Sequence, residues 1–153
     1  MIVVVGLGNP LREDEGVALR ILQELERLFG ARPDVRLLDI GTAGMRLLDA
    51  LSGAGRAIIV DCARMGEEPG TIMRFHPDEA SSRRYGDSIT PHAGDLLHLL
   101  DLSRRLGQCP NEIILFGIEP VSLGYREGLS RLVEERIPLY VHRVAQEIDR
   151  PAT

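Results

Sequence analysis

The sequence lacks the features of several large classes of protein. Its longest apolar stretches are far too short to span a bilayer, so we expect no membrane partner. Met1 runs directly into IVVVG, without a basic region or a small-residue cleavage site, and we therefore expect no secretory signal. Internal repeats and low-complexity tracts are also absent. The 153 residues predict one globular domain, 1–153, with a single full core.

The chain also has few cysteines and no excess of positive charge. The two cysteines, Cys62 and Cys109, form no CxxC pair, which indicates a reducing, cytoplasmic setting. A formal net charge of −5 leaves no electrostatic footprint for nucleic acid. We expect a cytoplasmic monomer that binds no nucleic acid.

Short apolar runs alternate with longer segments of helical spacing. The pattern predicts strands at 2–5, 35–40, 56–62, 71–75 and 112–118, with 71–75 at or near an edge. It predicts helices at about 14–29, after the GTAG turn, from Thr90 onward, and at 129–148 with a kink at Pro138. The βαβαβ opening favours a three-layer α/β/α fold. Its five-stranded twisted sheet should be mostly parallel, with one antiparallel strand, and 76–89 should be a loop or lid.

The stretch GLGNPLREDEG, Gly6 to Gly16, begins like a nucleotide-binding loop. A dinucleotide fingerprint needs a third glycine where Leu11 stands, so that interpretation fails. The acids at 13–15 would also repel a phosphate at the helix N-terminus. The alternative is that these acids only favour the helix dipole in its first turn.

Three side chains of metal-binding type are expected near one edge of the sheet. Glu15 follows the first strand and Asp61 ends the third, and ligands of parallel sheets bind outside the carboxyl ends of the strands. His92 lies in the first turn of its helix, where the dipole favours the neutral, metal-binding ring. Each residue alone also fits a turn, capping or exposed surface role. Together they suit zinc or nickel.

Several motifs carry a family resemblance that spans nearly the whole chain: GLGNPLREDEGVALR, LLDIGTAG, AIIVDCAR, SITPHAGDLL and FGIEPVSLGYREGLS. Their order and spacing resemble the hydrogenase maturation endopeptidases, which have a phosphorylase/hydrolase-like fold. The resemblance implies that Glu15, Asp61 and His92 are the metal-contacting and catalytic positions. It also implies that the GTAG turn, with Asp39, Gly41 and Thr42, holds the incoming peptide or orients the site.

The resemblance implies an aspartic-type, metal-dependent endopeptidase that trims the C-terminus of a [NiFe]-hydrogenase large-subunit precursor. The nickel would arrive already bound to the precursor, so that a finished metal site licenses the cut. Zinc or cadmium could substitute in the isolated protein. The metal could polarise the scissile carbonyl or lower the pKa of a bound water toward ~7.

Three alternatives remain open. IVVVGLGNP also resembles the start of peptidyl-tRNA hydrolase, but no histidine precedes His76 and the acidic balance suits tRNA poorly. A cysteine peptidase built on Cys62 and His92 would need a thiolate beside Asp61, which electrostatics disfavours. A metallochaperone-like module would use the same three ligands to bind a nickel site without cleaving anything.

Overall fold

The computed structural model describes residues 1–42, 44–82 and 92–152, without the side chains of 80–82 and 92–95. Its five-stranded sheet has the order β2-β1-β3-β5-β4. All neighbouring strands are parallel except β4, which pairs antiparallel with β5 at the edge. The strands are β1 (Ile2–Gly6), β2 (Val35–Asp39), β3 (Arg56–Cys62), β4 (Ile72–Phe75) and β5 (Glu112–Ile118). The predicted mostly parallel sheet with one antiparallel strand is confirmed.

Helices cover both faces of the sheet, which confirms the three-layer prediction. They are α1 (Val17–Phe29), α2 (Arg46–Leu51), α3 (Pro77–Ser82), α4 (His92–Arg105) and α5 (Arg131–Asp149). Apolar residues of α1 and α5 pack in one core cluster, and those of α2 and α4 pack in the other. All seven residues of β3 are buried, as a strand covered on both faces requires. No helix in the described ranges is both long and apolar enough to cross a bilayer.

Two predicted boundaries were wrong. The helix expected from Asp14 starts at Val17, because residues Glu13–Gly16 form a tighter 3-10 turn instead. The segment 76–89, expected to be a loop or lid, contains α3, and residues 83–89 lie outside the described part. The kink at Pro138 stays a prediction, since α5 continues through that residue.

An ion-pair network at the amino edge of the sheet ties α5 to the strands. Glu147 is buried and accepts hydrogen bonds from Arg74 Nε at 2.7 Å and from Arg150 Nε at 2.8 Å. Arg56, at the start of β3, donates to the carbonyl oxygens of residues 147, 150 and 151 at the end of α5. These contacts give side-chain donors to carbonyls at and just beyond the last turn of α5.

The network should make stability depend on acid pH. Burial alone would raise the pKa of Glu147, but hydrogen bonds from Arg74 and Arg150 outweigh it and lower that pKa below its ordinary 4.5. The lowered pKa stabilises the fold above pH 4.5, and this contribution is lost as the pH falls through the lowered pKa. Glu147→Gln should therefore lower the free energy of unfolding by about 1 to 2 kcal/mol at pH 7.

Urea denaturation of the wild type and of Glu147→Gln between pH 7 and pH 3 measures this effect. The difference between their free energies of unfolding should shrink in the acid range. Glu135→Gln is the control, because its partner Arg131 is on the exposed surface. An unchanged difference at pH 3 would show that the Glu147 charge contributes nothing.

Candidate active site

The loops after β1, β2 and β3 meet at the carboxyl edge of the sheet. The backbone N–H of Leu7 donates to the carbonyl of Val60 at 3.0 Å, which continues the pairing of β1 with β3. The N–H of Gly8 donates to the carbonyl of Gly41 at 2.7 Å, which joins the first loop to the GTAG turn. These bonds hold the predicted site segments together.

Gly8 allows the first loop to fold back on itself. Its φ is +137°, and a Cβ placed there would lie 2.0 Å from the carbonyl oxygen of Glu15. Only glycine permits both that conformation and that approach. This close contact between Gly8 and Glu15 holds the 3-10 turn, which includes Glu15, next to the end of β1.

Asp61 occupies the next to last position of β3 and is 1% exposed. Alternation along the strand places it with Ile59 and Ala63, on the face that α2 and α4 cover. Its neighbour in the register on β5 is Gly117, which has no side chain. Asp61 therefore lies inside the carboxyl edge, on the same face as the helix that starts at His92.

Glu15 is 2% exposed and contacts a cation of its own chain. Arg12 Nη1 lies 3.3 Å from Glu15 Oε2. Glu15 and Asp61 both add negative charge near the thiol of Cys62. The structure thus brings two of the three predicted ligands, both buried, into one region of the sheet edge.

The third predicted ligand is placed only by its backbone. His92 begins α4, and because α4 leads to the amino end of β5, its first residue lies toward the carboxyl edge. The side chain of His92 lies outside the described residues. Among the side chains that are described, no three His, Cys, Asp or Glu residues form a metal-binding group. The complete ligand set stays a prediction.

Cys62 is fully buried, on the opposite face from Asp61. Burial raises the pKa of its thiol well above the ordinary value, and the charges of Asp61, Asp14, Glu15 and Glu119 raise it further. A thiol in this setting stays protonated at neutral pH. The surroundings of Cys62 therefore oppose a thiolate nucleophile.

The three consecutive acids do not simply favour a helix dipole, because the first turn of α1 contains none of them. Asp14 is fully buried and holds the loop between β5 and α5. Its Oδ2 accepts from the N–H of Val121 at 2.8 Å and of Ser122 at 3.1 Å, and from Ser130 Oγ at 2.9 Å. Its Oδ1 accepts from the N–H of Ser130 at 2.7 Å. Sequence reasoning missed this anchoring role.

Glu13 has a third, weaker role. Its φ of +48° is unusual for a residue with a side chain, and its carboxylate pairs with Arg126 Nε at 3.2 Å. Arg126 is 80% exposed, so this pair contributes little to stability. The three neighbouring acids are therefore not equivalent.

Glu119 is a second buried acid that sequence reasoning missed. It follows β5, and its Oε1 accepts from the N–H groups of Met65 at 2.7 Å and Glu67 at 3.0 Å. The contact fixes the loop after β3, next to Asp61. The strand-end argument that selected Asp61 applies equally to Glu119 and could have identified it.

Asp39 contacts the start of the predicted substrate-binding turn. Asp39 Oδ1 accepts from the N–H of Gly41 at 3.0 Å, and Gly41 has a φ of +62°. Thr42 is exposed beside it. Asp39 therefore orients the turn, while contact of Asp39, Gly41 and Thr42 with a peptide stays a prediction.

Comparisons with known proteins agree on one group of relatives. A sequence profile for "Hydrogenase maturation protease" matches residues 19–147. The hydrogenase 2 maturation protease of Escherichia coli K12 is 35% identical over 137 residues, which cover 89% of this chain and 83% of that protein. The solved structure of the hydrogenase maturating endopeptidase HybD from E. coli superposes with a TM-score of 0.83. It is 34% identical and covers 96% of this chain and 92% of that one.

One relative is considerably longer than this chain. The hydrogenase expression/formation protein HupD of Thiocapsa roseopersicina is 33% identical over 137 residues, which cover 89% of this chain. The match spans 62% of the length of that protein, less than two thirds.

The contacts of Asp14 predict a large difference between adjacent acids. Asp14→Asn keeps the shape, but both carboxylate oxygens accept from backbone N–H groups, so an amide NH₂ must face at least one of those donors. The cost should be about 1 to 3 kcal/mol of unfolding free energy. Glu13→Gln should cost less than about 1 kcal/mol, because its partner is exposed. Denaturant titration of both variants measures this, and equal losses would contradict the assigned roles.

Proposed function

Since the chain belongs to the hydrogenase maturation protease family, we propose that it is an endopeptidase acting on the large-subunit precursor of a [NiFe]-hydrogenase. It removes the C-terminal extension of the precursor once nickel has been loaded. The nickel is part of the substrate and arrives on the precursor. The peptidyl-tRNA hydrolase alternative is set aside, because the family is a different one.

One observation carries the proposal: two buried carboxylates, Glu15 and Asp61, lie at the carboxyl edge of a parallel sheet, where such folds bind ligands. Burial of carboxylates away from water is costly unless a cation or hydrogen-bond donors balance their charge. A divalent ion delivered to this edge gains two anionic oxygen donors. With the His92 ring as a third ligand, the set suits nickel, zinc or cadmium.

The remaining residues then position the substrate. The turn held by Asp39 presents the Gly41 backbone and the exposed Thr42 hydroxyl beside the first loop, as partners for an extended peptide. Glu15, Asp61 and His92 would hold the metal, which would supply Lewis-acid chemistry for hydrolysis of the peptide bond. Glu119 and Asp14 keep the surrounding loops in place.

The proposed ligands predict a selective loss of activity. Glu15→Gln, Asp61→Asn and His92→Ala should each lower processing at least about a hundredfold, because the amides remove negative charge from the metal ligands and alanine removes a donor. The assay incubates the protein with a nickel-loaded precursor and follows the mass of the large subunit. Glu13→Gln is the matched control and should process at the normal rate. Thermal unfolding verifies that each variant is folded.

Two outcomes would contradict the proposal. Normal processing by Asp61→Asn or His92→Ala would remove that residue from the site, and equal effects of Glu15→Gln and Glu13→Gln would remove Glu15. Binding of the loaded precursor without any mass change in the wild-type assay would support the alternative of a nickel-site binding module without hydrolysis.

Cys62 provides an independent test of the mechanism. Cys62→Ala should retain processing within about twofold, since the thiol is buried and its raised pKa keeps it protonated. The small cavity should lower stability by about 1 kcal/mol. A folded Cys62→Ala protein without activity would restore the cysteine-peptidase interpretation.

A further inference from the structure

Arg12 contacts Glu15 and two residues of the loop between β5 and α5. Its Nη1 lies 3.3 Å from Glu15 Oε2, and its Nη2 donates to the carbonyl of Leu123 at 2.9 Å. Its guanidinium carbon lies 4.9 Å from the centroid of the Tyr125 ring. The Arg12 side chain is 24% exposed and that of Glu15 is 2% exposed, so Arg12 stands on the solvent side of the carboxylate.

Two of these contacts do not depend on Glu15. The Leu123 carbonyl and the face of the Tyr125 ring both belong to the loop between β5 and α5, which Asp14 anchors. A guanidinium is a good partner for a carbonyl oxygen and for an aromatic face at the same time. Arg12 therefore keeps two favourable contacts if its ion pair with Glu15 opens.

The ion pair and a bound divalent ion compete for one carboxylate. Arg12 is permanently charged, so it repels a second cation near Glu15 at any physiological pH. Its Nη1 also lies 3.3 Å from Oε2, one of the two oxygens that Glu15 offers to a metal. A free ion must displace the guanidinium from Glu15 through its own binding energy. An ion held in a docked precursor can displace it more readily, because the other contacts of the precursor also stabilise the complex.

We propose that Arg12 is a positioning residue that acts as an exchangeable counter-ion for Glu15. It balances the buried carboxylate while the site is empty of substrate, discourages capture of free divalent ions, and releases Glu15 when the precursor delivers its metal, keeping its contacts with Leu123 and Tyr125. The inference rests on the proposed role of Glu15 as a ligand.

Binding of free cadmium to the isolated protein tests this directly, by isothermal titration calorimetry at constant pH. Arg12→Met removes the charge and keeps the length of the side chain, and it should bind Cd²⁺ about tenfold more tightly or better. Arg12→Lys keeps a positive charge and should stay close to the wild type. Arg126→Met removes a charge from the adjacent Glu13 pair and should leave Cd²⁺ affinity unchanged.

A double variant tests whether the gain in cadmium affinity requires the Glu15 carboxylate. In Arg12→Met combined with Glu15→Gln, the gain in affinity should vanish, because the competition requires the Glu15 carboxylate. Weaker or unchanged cadmium binding by a folded Arg12→Met protein would overturn the inference. An equal gain in Arg126→Met would also overturn it, since the effect would then be one of net charge.

The two proposals fail in different ways. If Glu15→Gln processes precursor normally, the ligand assignment fails and the role of Arg12 fails with it. If Glu15→Gln is inactive while Arg12→Met leaves cadmium affinity unchanged, only the counter-ion role of Arg12 fails. The proposed function then stands.

Discussion

The close approach of the Gly8 backbone to the carbonyl of Glu15 is the constraint on which the site depends. A Cβ at residue 8 would lie 2.0 Å from that oxygen, so the loop can fold back over β1 only through glycine. This fold-back turns residues Glu13–Gly16 into a 3-10 turn whose members are all buried. As a result, Glu15 reaches the sheet edge, Asp14 reaches the loop before α5, and Arg12 reaches Tyr125. One small residue thus places three charged ones.

Several buried carboxylates lie near the carboxyl edge of the sheet, and each of them has different partners. Asp14 receives three N–H donors and a hydroxyl, and Glu119 receives two N–H donors, so both act as fixed anchors of loops. Glu15 instead pairs with Arg12, a mobile type of side chain that has other partners nearby. The combined field raises the pKa of Cys62 and opposes a thiolate there. This division fits the proposed chemistry, in which the cation arrives with the substrate.

Membership of the hydrogenase maturation protease family accounts for the architecture, and the proposed nickel-dependent cleavage gives its buried acids a purpose. Under the proposed function, the protease waits for a finished metal site, and its own site must not fill with free ions. The proposed exchange of Arg12 at Glu15 would meet that requirement. The same arginine connects Glu15, the proposed ligand, to the loop before α5.

The sequence by itself determined the five strands, the helices other than α3, the parallel sheet with an antiparallel edge strand, and the carboxyl edge as the region of Glu15 and Asp61. Period-two and helical spacings, and the rule that parallel strands end at one edge, depend only on local pattern and connectivity. Tertiary structure alone decided the different roles of Glu13, Asp14 and Glu15. The partners of Glu13 and Asp14 lie more than a hundred positions away along the chain, at Ser122, Arg126 and Ser130, where no local pattern places them beside these acids. Glu15 differs from both because its cation, Arg12, belongs to the same loop.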